Sequence, residues 1–112
     1  IHLLRIDEKI RAALVWHAEN LVACGLDFPI QPGMPVDEVF RALVTVMETE
    51  ARRRLCEVSV FPLLENNGFP AEVFTELGYV LTCFENIERL AWREQLLKTM
   101  NSAAQFYLKA LS

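Results

Sequence analysis

All five prolines of the chain, Pro29, Pro32, Pro35, Pro62 and Pro70, fall between residues 29 and 70. Proline fixes its own φ, lacks a backbone N–H and clashes with the carbonyl four residues back, so a regular helix does not run through it undisturbed. The prolines leave an uninterrupted start, a broken middle, and a run from Pro70 to Ser112 in which Gly78 is the only glycine.

In the opening segment Leu3, Ile6, Ile10, Ala13, Leu14, Leu21 and Cys24 recur at helical spacing, with Asp7, Glu8, Arg11 and Glu19 turned away. This pattern predicts a first helix over residues 3–24, with Gly25 where a C-terminal cap belongs. Residues 26–35, LDFPIQPGMP, then read as a loop. Its Leu26, Phe28, Ile30 and Met34 make it an apolar loop, of the kind that lies across the end of a core.

A second helix opens at Pro35, with Asp37 and Glu38 in the first turn, where the helix dipole favours acids. Its stripe is Val36, Val39, Phe40, Leu43, Val46, Met47, Ala51 and Val58. Pro62 ends or kinks it near residue 60. The β-branched stretch EVSVF has a short extended piece as its alternative reading. ENNGFP at 65–70 reads as a turn, after which Pro70 restarts a helix with Glu72 in its first turn.

Beyond Pro70 the absence of breakers predicts one very long helix, yet the apolar stripe changes side. Val73, Leu77, Val80, Phe84 and Ile87 mark one face, while Leu96, Met100, Ala103, Tyr107 and Leu111 mark another. At 100° per residue the two faces differ by roughly 170°. Either the helix breaks near Glu85–Arg93, with Asn86 as a cap, or it stays straight and its far half packs on a second chain. A break is expected, because a helix of about 40 residues far exceeds the usual 11–12.

The resulting expectation is all-α: a single helical domain over 1–112, a small antiparallel bundle of about four helices open to completion by dimerisation. At 112 residues the chain buries a core without metals or disulfides. Its apolar fraction of 53% exceeds the roughly 45–50% of ordinary domains. That excess points to a face covered by a second copy, by a protein partner or by a small apolar ligand. The net charge of −4 argues against nucleic acid, and no apolar run approaches the ~18 residues of a membrane span. No signal-peptide pattern is visible, and a start at Ile1 rather than methionine reads as a piece of something longer. Cys24, Cys56 and Cys83 lie far apart, without zinc-site spacing, and read as reduced structural thiols of a cytoplasmic protein. No motif calls for a cofactor.

Few residues suggest chemistry. His17 interrupts the first stripe as a core or ligand-contacting histidine. Trp16 lies off that stripe and Trp92 sits where the last stripe changes side, so both are candidate interface anchors. The densest charged run, METEARRRLCE at 47–57, does not form one basic patch, because consecutive helical residues diverge by 100°. Glu48–Arg52, Glu50–Arg54 and Arg53–Glu57 instead pair at i, i+4. Glu50 and Arg54 interrupt the apolar stripe, and with His17 they are the candidate lining of a ligand pocket or dimer contact. Glu85 and Glu88 form an E-x-x-E pair that could hold Mg²⁺ in an all-α nucleotide pyrophosphohydrolase, although no second acidic pair follows. The favoured function is a small helical protein–protein interaction module, homodimeric and without catalytic activity. The alternatives are a helical-bundle binder of a small apolar or amphipathic ligand, and the Mg²⁺-dependent hydrolase.

Overall fold

The computed structural model describes residues 2–6, 9–63, 69–100 and 105–111, and it is an α/β molecule rather than a helical bundle. The expected first helix is replaced by three strands: β1 (His2–Ile6), β2 (Lys9–Glu19) and β3 (Val22–Asp27). Then follow α1 (Val36–Arg53), β4 (Val58–Pro62), α2 (Ala71–Leu77), β5 (Val80–Thr82), a single 3₁₀ turn at Phe84–Asn86, α3 (Leu90–Thr99) and β6 (Phe106–Ala110). Among the described residues one six-stranded sheet runs in the order β1-β2-β3-β4-β6-β5. Every neighbouring pair is antiparallel except β3–β4, the parallel step in its middle.

The error over residues 3–24 has a physical cause. Ala12, Leu14, Trp16 and Ala23 point to a core shared with α1, whereas Val22 and Cys24 point to a core shared with α3. A strand covered on both faces is apolar at consecutive positions, so the period of two disappears. Val22, Ala23 and Cys24 are all fully buried, as are Val58, Ser59, Val60 and Phe61 of β4. Apolar residues at almost every position satisfy a helical template as readily as a strand.

Helix α1 starts where Pro35, Asp37 and Glu38 indicated, and it buries Val39, Phe40, Leu43, Val44, Met47 and Ala51. Val36 and Val46 of the expected stripe are exposed, and Val58 belongs to β4. The helix ends at Arg53, before any proline requires it, because Leu55 at φ 62° turns the chain back into the sheet. The extended alternative for EVSVF is therefore the right one.

The reversed stripe also has an answer that neither expected structure contained. Helix α2 ends at Gly78, whose φ of 91° is the left-handed cap geometry that glycine adopts without a Cβ penalty. Val73 and Phe74 pack into the α1-side core, while Ile87, Leu96 and Met100 pack into the α3-side core. Neither stripe is one surface: Ile87 of the first packs with Leu96 and Met100 of the second in the α3-side core, while Leu111 of the second packs with Val73 of the first in the α1-side core. The apparent reversal comes from reading helix, turn and strand segments with one helical period. Residues 65–68 of the turn expected over 65–70, and Ala103 of the last stripe, lie outside the described residues.

Candidate functional site

The β3–α1–β4 crossover makes a feature of this sheet suited to a ligand. Parallel register joins Val22 to Val58, Ala23 to Ser59 and Cys24 to Val60, and stops there. Beyond it β3 runs on to Asp27 along β2, and β4 runs on to Pro62 along β6. The two strands thus part into a fork at their C-terminal ends, beside the start of α1. In open α/β sheets, crevices at the C-terminal ends of parallel strands are where ligands bind.

Gly25 sits just past the fork point. A Cβ there would lie 2.2 Å from Cε2 of Phe61, so the phenyl ring occupies the space a side chain would need. Phe61 is fully buried and packs edge-on against Phe40, Phe69 and Tyr79. Phe28 follows β3 and lies against Phe40 at 4.9 Å. The inner wall of the fork is therefore aromatic and dry.

The loop above it takes its shape from its sequence. In Gln31–Met34, Pro32 precedes Gly33 at φ 88°, and the Met34 N–H donates to the Gln31 carbonyl at 3.4 Å, the pattern of a type II turn. The loop is fastened to β2: Ala13 N–H donates to the Pro29 carbonyl and Gln31 N–H to that of Arg11. The Arg11 guanidinium also donates to the Gln31 side-chain oxygen. A shallow groove of about 240 Å³ runs along this seam, between Ile10–Ala13 and Pro29–Gln31. At the start of α1 no side chain caps the helix, so the first-turn N–H groups of Val36, Asp37 and Glu38 point toward the loop. The same turn carries two exposed carboxylates, Asp37 and Glu38.

Cys24 marks the fork point itself. Burial among Val22, Val58 and Val60 pushes its thiol up to about 12, so it stays protonated and non-nucleophilic at neutral pH. No cluster of three or more metal-ligating side chains occurs among the described residues. No helix among them is long and apolar enough to cross a membrane.

Of the residues singled out from sequence, Trp16, Glu50 and Arg54 are brought together at the C-terminal end of α1, and His17 and Trp92 lie apart from them. Trp16 faces α1, where the Arg54 guanidinium lies 5.5 Å from its ring centroid. Glu50 accepts from Arg54 at 3.2 Å and from Arg53 at 3.0 Å. The Arg54 hydrogen bond, chiefly, holds the Glu50 carboxyl below its ordinary range. Arg54 and Glu50 line no pocket with His17, because successive strand residues alternate sides and His17, paired to Cys24, points to the face opposite Trp16. Trp92 lies on α3, donates to Glu57 at 2.7 Å and stacks under Arg89 at 4.7 Å. Glu57 is thereby engaged away from Arg53, its expected partner. Trp92 and Glu88 border a second groove of about 370 Å³ with Thr82, Asn86 and Leu108. Glu85 sits in the 3₁₀ turn and Glu88 in the segment after it, so the expected single helix face for two carboxylates does not exist.

Sequence reasoning missed a buried polar network on the α1 side. Tyr79 O–H donates to Glu48 at 2.9 Å and lies 2.7 Å from the Ser59 hydroxyl, and Lys109 donates to Glu48 at 2.8 Å. Burial first, and the Glu48 charge second, push the Tyr79 phenol above its ordinary value. It also missed the fork. Its signals were present, in a glycine inside an apolar run and in the sequence QPGMP immediately before a helix.

No protein-family model matches the chain, and no curated protein does. Solved structures do share its fold. N-acetylglutamate synthase from Neisseria gonorrhoeae, complexed with coenzyme A and N-acetylglutamate, superposes with a TM-score of 0.65 at 15% identity, over 98% of this chain and 25% of that one. Rv2747 from Mycobacterium tuberculosis, in complex with coenzyme A, gives 0.66 at 14% identity, over 98% and 75%. The ribosomal-protein-S18-alanine N-acetyltransferase from Escherichia coli gives 0.63 at 13% identity, over 98% and 67%. The chain thus spans a quarter of the synthase's length and most of the other two. These likenesses establish a shared α/β fold and overturn the helical bundle. With it falls the non-catalytic helical interaction module, and the two alternatives that needed a bundle fall as well.

Proposed function

We propose that this chain takes an acyl thioester of the coenzyme A type into the fork between β3 and β4 and passes the acyl group to an amine. The observation that carries the reading is the fork itself, placed at the start of α1 in a fold shared with N-acetylglutamate synthase and Rv2747, both solved with coenzyme A. The residues present fit the thioester end of such a molecule. Strand ends that part from each other leave backbone edges to which the amides of a pantetheine arm can bond as a short strand would. Phe28 and Phe61 lie buried beneath the fork as its apolar floor, and exclusion of water protects a thioester from hydrolysis.

The thioester, when bound, supplies an acyl carbon activated toward nucleophiles. The amine nitrogen bonds to that carbon, the carbon–sulfur bond breaks, and the proton lost by nitrogen balances the thiolate released. Cys24 takes no part as an acyl carrier, since burial keeps its thiol protonated. In this reading the acyl group passes directly from thioester to amine. Amine-dependent release of free thiol from acetyl-coenzyme A, across a panel of amino acids, polyamines and peptide N-termini, tests the reading. Release with at least one acceptor is expected, and none with any acceptor contradicts it.

A further inference from the structure

The segment that would face the phosphates of a nucleotide thioester is built against them. Residues 26–40 contain Asp27, Asp37 and Glu38 and no lysine, arginine or histidine. Pro32 and Pro35 remove two backbone N–H donors from the turn and the helix cap. Two further N–H groups, of Gln31 and Met34, already donate within the protein. A helix N-terminus attracts anions with the equivalent of roughly half a positive charge. Here two full negative charges, Asp37 and Glu38, stand in its first turn and oppose the dipole's attraction for an added anion. Arg41 could offset them, but it is held by Glu76 at 2.6 Å. Arg11 reaches the loop and is bonded to Gln31.

Resting on the thioester reading above, we infer that the fork recognises the uncharged pantetheine arm and its thioester, and does not grip the nucleotide diphosphate. The preferred ligand class is a pantetheine thioester whose phosphate-bearing end, where there is one, stays in solvent. Electrostatic repulsion at the mouth also fixes the sign of the salt effect. Added salt screens it, so affinity for a polyanionic thioester rises with ionic strength instead of falling.

The test is calorimetric titration of the chain with acetyl-pantetheine and with acetyl-coenzyme A, each at low and at physiological salt. Acetyl-coenzyme A is expected to bind no more tightly than acetyl-pantetheine, and to tighten with salt. In the Asp37→Asn, Glu38→Gln double variant it is expected to tighten by roughly three- to thirtyfold, with acetyl-pantetheine unchanged. Acetyl-coenzyme A binding about tenfold tighter than acetyl-pantetheine, with affinity falling in salt, overturns this inference and leaves the acyltransferase reading standing. Binding of neither ligand overturns both.

Discussion

The ring of Phe61 on β4 fills the position that a side chain at residue 25 on β3 would occupy, with 2.2 Å between Cε2 and an idealised Cβ. Glycine at 25 and phenylalanine at 61 are thus one packing decision made across the fork.

Gly25→Ala forces a buried ring to move in a crowded aromatic cluster and is expected to destabilise the fold by about 1–3 kcal/mol, as overpacking does. Urea denaturation of Gly25→Ala, Phe61→Leu and the double variant measures the coupling. The double variant should recover part of the loss. Simple additivity would show that the two residues do not compete for the same space.

Glu48 joins α1 to β6 through Lys109 and to β4 through Tyr79 and Ser59. Glu48→Ala removes one partner of a buried pair, a change that costs about 3–5 kcal/mol when both partners are fully buried. The Lys109 side chain keeps 23% exposure. The expected loss is therefore smaller, about 2–3 kcal/mol by chemical denaturation. A loss below about 0.5 kcal/mol would mean that the network only occupies space.

Cys24 sets a limit on the alkaline side. Well below pH 9.0 neither the folded nor the unfolded thiol is appreciably ionised, and the group adds no pH dependence. Between 9.0 and about 12 only the unfolded chain loses the proton, so stability falls by up to about 1.4 kcal/mol per pH unit. Tyr79, also raised, adds to the same decline above its ordinary value of 10.0. Cys24→Ala should flatten the stability profile between pH 9 and 10, and an unchanged slope there would remove the thiol as its cause.

Arg54 was, with His17 and Glu50, a candidate lining of a ligand pocket or dimer contact, and the fold places it away from the fork. An 18-residue helix spans roughly 27 Å, which separates Arg54 from the fork at the opposite end of α1. Arg54→Ala should cost only about 0.5–1 kcal/mol through its contact with Trp16 and should alter tryptophan fluorescence. Thioester affinity should not change, and a severalfold loss would place the site at the wrong end of the helix.

What the sequence disclosed followed how local its signals were. The starts of α1 and α2 depend on Pro35 with Asp37 and Glu38, and on Pro70 with Glu72, and both could be read from a few adjacent residues. The apolar loop 26–35 likewise lies over the core through Phe28, with Ile30 and Met34 packed against it. The strands were hidden because burial on two faces erased alternation in AALVW and VACG. The fork was hidden for a different reason. It depends on Gly25 meeting Phe61, 36 positions away in the chain, and on where a parallel ladder stops. No residue in either strand carries that information alone. The two stripes after Pro70 did not correspond to two surfaces, because Ile87 packs with Leu96 and Met100 on one side of the sheet and Leu111 with Val73 on the other.

Backbone amide shifts report where on the sheet a thioester binds. Titrating the ¹⁵N-labelled chain with acetyl-pantetheine should move the amides of Gly25, Leu26 and Asp27, of Phe61, and of the loop through Met34. Residues around Trp92 and Arg54 should stay in place. Shifts confined to the Val80–Trp92 groove, or none at saturating ligand, would contradict the account.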